Sequence, residues 1–350
     1  MESMKAAVLE EYRRFSWKEV PRPLPAGREV LVKVTFAGIC GSDQHIFLGE
    51  FHPRTRLPLI PGHEFCGEIV ETGRDVKSFK AGDRVVVDPI IACGRCPACE
   101  RGHYPACPSL RLVGIDLDGG FGEYVKVPET MLHRIDRRIP DRHAALVEQL
   151  SIGFHACRRA QVAAGDSIVI WGAGKVGQSI LQAVRTKTDH TVIVVDLFEK
   201  RLGKAREAYP DIHVVNPAKG DPIGRIMDLT QGRGVDIAFE AVGHFKPTEG
   251  RPNPVQGCVQ AIRGGGTVCV LGLSNEATPV LFKNLIWKEA QIVSSRVTHG
   301  EFEETIRHLV EEDLNPEALI SDVVPASRAQ AAFEMLEKDP ENHLKILLRF

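Results

Sequence analysis

Along the first third of the chain, apolar and polar positions alternate in short stretches; in the middle third the apolar ones gather into continuous runs. Residues 5–9 and 29–36 read as strands, with Pro21, Pro23 and Pro25 breaking the chain between them. Residues 68–71 and 83–88 read as two more, parted by Gly73 and the Ala81-Gly82-Asp83 turn, and 119–128 adds a glycine turn and a strand. Many short strands divided by Gly/Pro turns predict an all-β, barrel-like first part. From Ala144 the pattern turns helical, and from Ser167 strands and helices alternate. Strands are expected at 167–171, 191–196, 212–215, 235–241 and 266–272, the order of a parallel sheet with crossover helices. A strand at 291–296 and helices near 301–311 and 327–338 close the chain. The segment 244–257, with Pro247, Gly250, Pro252, Pro254 and Gly257, interrupts this rhythm and reads as an inserted surface loop, at a subunit contact or a cleft rim.

The alternation carries its clearest chemistry over residues 166–196. A continuous β-branched run ending at Trp171 leads into Gly172-Ala-Gly174-Lys-Val-Gly177, and a helix is expected over 175–186. Gly172 allows the tight turn, Gly174 lets backbone approach a pyrophosphate, and Gly177 lets the helix pack closely on the sheet. The helix start offers free N–H groups and a positive dipole end to the phosphates. Asp196 follows Gly177 by 19 residues, where a carboxylate can accept from a ribose 2′-OH. Glycine clusters alone make ordinary turns, but strand, glycines, helix, strand and acid here fall in order, which points to a dinucleotide. The acid favours NAD over NADP, because a 2′-phosphate would meet a like charge; Lys200 and Arg201 soften that preference.

Composition narrows the setting. A length of 350 residues suits two domains, and 43% hydrophobic with 26% charged residues is ordinary for a globular protein. A formal net charge of −2 gives no basic footprint for nucleic acid. No apolar run approaches the roughly 20 residues that span a bilayer, and the first residues lack a signal-peptide core, so a cytoplasmic location is expected.

Four of the nine cysteines crowd into Cys93-x2-Cys96-x2-Cys99-x7-Cys107. Four thiolates on a short Gly/Pro-containing loop suit a tetrahedral structural zinc, favoured here over disulfides or an iron–sulfur cluster. A second, dispersed set comprises Cys40, His63, Glu64 and Glu148. A catalytic zinc takes mixed S, N and O ligands and leaves one position open. Taken singly, each of these residues has a bland reading: a small buried hydrophobe, a hydrogen-bonded core histidine, a helix-start acid. Only together do they suggest a metal.

The Gly38-Ile-Cys40-Gly-Ser42-Asp43-Gln-His45 segment, Gly62-His63-Glu64, Ala81-Gly-Asp-Arg-Val, the four-cysteine lobe and the glycine fingerprint follow one another in an order that resembles the zinc-containing medium-chain dehydrogenase/reductase superfamily. The match spans the whole chain. Val-Glu148-Gln-Leu-Ser-Ile-Gly-Phe-His-Ala-Cys-Arg-Arg most resembles the sorbitol (polyol) dehydrogenase branch, with L-threonine 3-dehydrogenase second; Gln149 stands where that branch usually has proline. The resemblance implies a GroES-like β-barrel catalytic domain (1–150 and 290–350, with the zinc lobe at 93–107) and a doubly wound Rossmann domain (151–289), with the active-site cleft between them. It implies a homodimer or homotetramer, two zinc ions per chain, and oxidation of a polar secondary alcohol (polyol, cyclitol or sugar acid) by NAD. Cys40 and His63 would hold the catalytic zinc with Glu64 or Glu148, a choice the sequence leaves open. Ser42 would bind the substrate oxygen, His45 relay the proton and Asp43 orient His63. The dinucleotide set is Gly172, Gly174, Lys175, Val176, Gly177, Asp196, Arg201, Val242 and Leu271, with Arg296 reaching substrate or cofactor. Phe47, residues 115–118 and Thr298 are candidates for substrate choice. The competing readings are a non-catalytic zinc- and NAD-binding relative and a zinc-free quinone or enoyl reductase.

Overall fold

The structure, a computed structural model, describes residues 2–243 and 253–350. The chain divides into two compact units, Met1–Gln149 with Phe302–Phe350, and Leu150–Glu301.

The second unit holds a six-stranded parallel sheet. Its order is His213–Val215, Val192–Val195, Ile168–Trp171, Val235–Glu240, Ile262–Val270 and Gln291–Ser294. The sequence order reverses between Ile168–Trp171 and Val235–Glu240, and the carboxyl ends of strands at such a switch point border a ligand crevice. All four residues of Ile168–Trp171 are buried, as a strand covered on both faces requires. Val169, Ile193, Ala238, Val259 and Val268 share one apolar core, each fully buried valine or isoleucine side chain contributing about 1.5–3 kcal/mol.

Three expectations change here. The strand expected from 266 begins at Ile262, because the Gly264-Gly265-Gly266 run looks like a break but lies within the strand. Of the loop expected over 244–257, residues 244–252 lie outside the described residues; the rest opens a helix. Asn253 caps helix Pro254–Ala261, its side chain accepting from the Gln256 N–H at 2.7 Å, so Pro254 starts a helix instead of interrupting one. The chain returns to the first unit at Phe302 and not at 290, since Gln291–Ser294 adds to the edge of the parallel sheet and ends before Arg296.

The first unit is built on a seven-stranded mixed sheet. Its central strand Glu29–Gly38 pairs antiparallel with Glu64–Thr72 on one side. On the other side it has two successive partners, Tyr124–Pro128 along its first half and Lys345–Arg349 along its last residues. Strands Arg14–Pro21, Ile320–Pro325 and Lys345–Arg349 were absent from the sequence-based expectation. The first is charged and largely exposed, and its alternation is hidden by the prolines that follow.

Candidate active site

Strand pairing assembles the first cluster. Gly38 at the end of the central strand lies in register with Glu64, the first residue of Glu64–Thr72. A Cβ at position 38 would lie 2.4 Å from Glu64 Oε2, so only glycine leaves room for that carboxylate. Two residues on, Cys40 precedes helix Gly41–Leu48, and its backbone N–H donates to Asp43 Oδ2 at 2.8 Å. One ligand atom each of Cys40, His63 and Glu64 then falls within 4.8 Å of the others.

The charges around this trio favour a cation. Asp43 Oδ1 lies 3.4 Å from His63 Nδ1, and both atoms are buried without a hydrogen bond. Burial disfavours a protonated His63, yet the nearby Asp43 and Cys40 outweigh it and hold the imidazole well above its usual range. Burial likewise pushes Glu64 up, but the Lys345 ammonium and His63 keep it below the ordinary carboxylate range. Lys345 Nζ donates to Glu64 Oε1 at 2.7 Å and Oε2 at 2.5 Å, and to Gln149 Oε1 at 3.2 Å. A thiol from one segment meeting an adjacent imidazole and carboxylate from another suits a zinc site with a fourth position open. With Asp43 at Nδ1, His63 offers Nε2 to a metal, the usual division of labour for a ligating histidine.

Glu148 stands apart from the trio. It is buried near the start of helix Val147–Ala160, where burial first, and then the neighbouring Glu64 charge, push its carboxyl up to about 7. Ser42 Oγ sits 3.3 Å from His63 Nε2, beside the donor atoms. His45 pairs through Nδ1 with Glu50 and stacks on Phe51 at 5.7 Å. Among the proposed substrate-choosing residues, Phe47 is buried against Phe15 and Phe333 and belongs to the core. Asp116 holds Arg54 in a two-pronged pair, and Asp118 accepts from the Ile60 N–H, so both fix loop geometry.

The second cluster lies in the 93–107 loop. The ligand atoms of Cys93, Cys96, Cys99 and Cys107 are all within 4.8 Å of one another, and all four are free thiols. Cys96 and Cys99 sulfurs are 3.5 Å apart and those of Cys93 and Cys99 4.0 Å. Four sulfurs about 2.3 Å from a tetrahedral zinc are about 3.8 Å from each other, so the loop is already shaped for the ion. Backbone N–H donation, chiefly from Arg95, lowers the Cys93 thiol to about 6, whereas burial raises Cys99 to about 11.

In the second unit, Gly172 adopts a φ of +102°, the left-handed turn that ends Ile168–Trp171. A Cβ at Gly177 would lie 1.7 Å from the Gly172 carbonyl oxygen, so helix Lys175–Arg185 packs as closely as backbone allows. A Cβ at Gly174 would meet only Arg201 Nη1, at 3.7 Å, leaving open the face where Lys175 and Val176 begin the helix. That open backbone at a helix N-terminus fits a pyrophosphate. Asp196 accepts from the Ala173 and Phe198 N–H groups at 2.7 and 2.8 Å, which ties the second strand end to the glycine turn. Its oxygens keep lone pairs for ribose hydroxyls. The Arg201 guanidinium lies over the Phe198 ring, 4.0 Å from Asp196. Val242 and Leu271 follow neighbouring strand ends, bound through Glu240, whose side chain accepts from the Val242 N–H and whose carbonyl accepts from that of Leu271. Arg296 lies exposed, two residues beyond the edge strand.

Sequence reasoning missed Lys345, Glu50 and Glu240, and noted Gln149 only as a departure from proline, without its bond to Lys345. Lys345 carried a signal, a cation heading the apolar run Ile-Leu-Leu; the others gave none until their partners were known.

Residues 26–137 match the family model described as "Alcohol dehydrogenase GroES-like domain", and residues 176–311 that described as "Zinc-binding dehydrogenase". The chain is 32% identical to a sorbitol dehydrogenase of Bacillus subtilis, covering 99% of this chain and 97% of that one. It is 36% identical to an L-threonine 3-dehydrogenase of Pyrococcus furiosus over 77% of this chain and 75% of the other. A solved alcohol dehydrogenase from Escherichia coli CFT073, complexed with NADH, superposes with a TM-score of 0.90 at 31% identity, covering 100% of both chains.

Proposed function

The chain belongs to the zinc-binding alcohol dehydrogenase family, and from that premise we propose that it oxidises a polar secondary alcohol (a polyol, cyclitol or sugar acid) to a ketone with NAD. The convergence of Cys40, His63 and Glu64 within 4.8 Å carries this reading, because a structural role requires no such open donor set.

Cys40, His63 and Glu64 would hold one zinc, and the four cysteines from Cys93 to Cys107 a second. When bound, the first ion supplies Lewis acidity towards an alcohol oxygen and the dinucleotide supplies the hydride acceptor. The residues of the chain do the rest. Asp43, its Oδ1 3.4 Å from His63 Nδ1, orients the His63 ring by its charge. Ser42 Oγ, beside His63, accepts the alcohol proton, and His45 passes it towards solvent. Glu148, raised by burial, is an outer carboxylate reached through water, and Glu64 is the direct ligand. On the second unit the glycine turn and helix start hold the pyrophosphate. Asp196 takes the adenosine ribose, which favours NAD, and Arg201, Val242, Leu271 and Arg296 complete the set.

Self-association is part of the proposal. Phe282, Ile286 and Trp287 of helix Phe282–Lys288 are 68%, 74% and 76% exposed, next to the edge strand Gln291–Ser294. Such a face supports a homodimer or homotetramer. Neither nucleic acid nor membrane is a proposed partner: net charge is −2, and no helix among the described residues is long and apolar enough to cross a bilayer. The cytoplasm is the proposed location.

A second reading, L-threonine 3-dehydrogenase, is favoured by the 36% identity to the Pyrococcus furiosus enzyme. Initial rates with NAD and a panel of polyols, sugar acids and threonine decide between them. Activity confined to threonine overturns the first reading, and no activity with any alcohol at full zinc loading overturns both.

A further inference from the structure

We propose that Gln149 is a positioning residue for the metal site: it anchors the Lys345 ammonium so that Glu64 can turn an oxygen to a metal. This rests on the reading of Cys40, His63 and Glu64 as metal ligands.

The three side chains are buried together. Lys345, Glu64 and Gln149 are 0%, 0% and 2% exposed, so water does not compete for their polar atoms. An ammonium has three donors. Two go to the oxygens of Glu64 and the third to Gln149 Oε1. An oxygen that Glu64 turns to a metal shares its electron density with the ion and is a weaker acceptor for Lys345, and a buried ammonium short of acceptors is costly. Without another anchor, Lys345 would compete with the metal for the same carboxylate. Gln149 is the acceptor that remains, and it is neutral, so it adds no third negative charge beside Glu64 and Glu148. Proline, the residue usual here in the polyol branch, has no side-chain acceptor to offer. The carboxamide thus does work that a fixed backbone angle cannot.

The test is the rate at which the zinc-loaded enzyme loses metal to a chelator, followed with a zinc indicator dye, with NADH affinity as the folding control. Cys40→Ser identifies the phase that belongs to this site. Gln149→Leu should release that zinc about tenfold faster, the loss expected from one hydrogen bond to a buried charge. The four-cysteine phase should not change. In a Lys345→Met background, Gln149→Leu should have no further effect. Wild-type release from Gln149→Leu, or an undiminished effect without Lys345, overturns the proposal. If Cys40→Ser removes no phase, the metal reading itself fails and takes this proposal with it.

Discussion

Replacing Gly38 with alanine places one methyl group where Glu64 Oε2 stands, and the consequence can be worked from distances. The added Cβ would be 2.4 Å from that oxygen, whereas ordinary contact begins at 3.4 Å, so the carboxylate must retreat by about 1.0 Å. Gly38 has no left-handed φ, and alanine is therefore tolerated by the backbone itself. Neither Glu64 nor Lys345 has exposed surface, so the retreat cannot be taken up by solvent. A 1.0 Å shift along the Oε2–Nζ line would take the 2.5 Å contact to at most about 3.5 Å, the limit of useful hydrogen bonding. A hydrogen bond to a charged group is worth about 1.5–3 kcal/mol, which corresponds to roughly ten- to 150-fold in an equilibrium constant. Two outcomes are expected: a lower Tm for metal-free protein, from the loss of that bond, and a weaker zinc affinity at this site, because the ligand oxygen itself has been displaced from the Cys40 and His63 donors. Competition against a graded series of chelators, read as zinc per chain, measures the second. Full retention of two zinc ions at wild-type affinity, with an unchanged Tm, refutes the claim that Glu64 is confined between Gly38 and Lys345.

Gly177→Ala should abolish NADH binding while leaving zinc content intact, since its Cβ would overlap the Gly172 carbonyl at 1.7 Å; fluorescence titration checks this. Cys99→Ser should lose one zinc and make the 93–107 loop sensitive to limited proteolysis, with the NADH affinity unchanged. Glu301 gives a pH prediction. Burial raises its carboxyl, but His155, the His299 N–H and Arg158 outweigh that and hold it low. A lowered folded pKa contributes stability that is fully present above the unfolded value of about 4.3 and lost as pH falls through the folded one. Glu301→Gln should therefore be less stable at neutral pH and show a shallower loss of stability below about pH 4.5. Urea melts across pH read both; parallel acid limbs for the two proteins would contradict it.

What was legible depended on whether a residue signals alone. The parallel sheet was visible because Ile168–Trp171 and Val192–Val195 are continuous buried runs, and the glycine fingerprint because Gly172 and Gly177 serve backbone geometry. The four cysteines announce themselves by spacing. The trio Cys40, His63 and Glu64 is gathered by register between Glu29–Gly38 and Glu64–Thr72, which one strand's pattern does not reveal. Lys345 was hidden for a related reason: it reaches Glu64, 281 residues away in sequence, only because the last strand returns to pair with Gly38 and its neighbours. The start of helix Pro254–Ala261 was masked by its prolines, which read equally well as breakers and as first-turn residues.

The central claim, a zinc held by Cys40, His63 and Glu64, is tested most directly by zinc-edge X-ray absorption on wild type and on Cys99→Ser. Wild type should show two zinc ions per chain. In the variant, the surviving ion should show one sulfur and several lighter N/O neighbours. A variant with no zinc left, or with an ion ringed only by sulfur, would contradict the account.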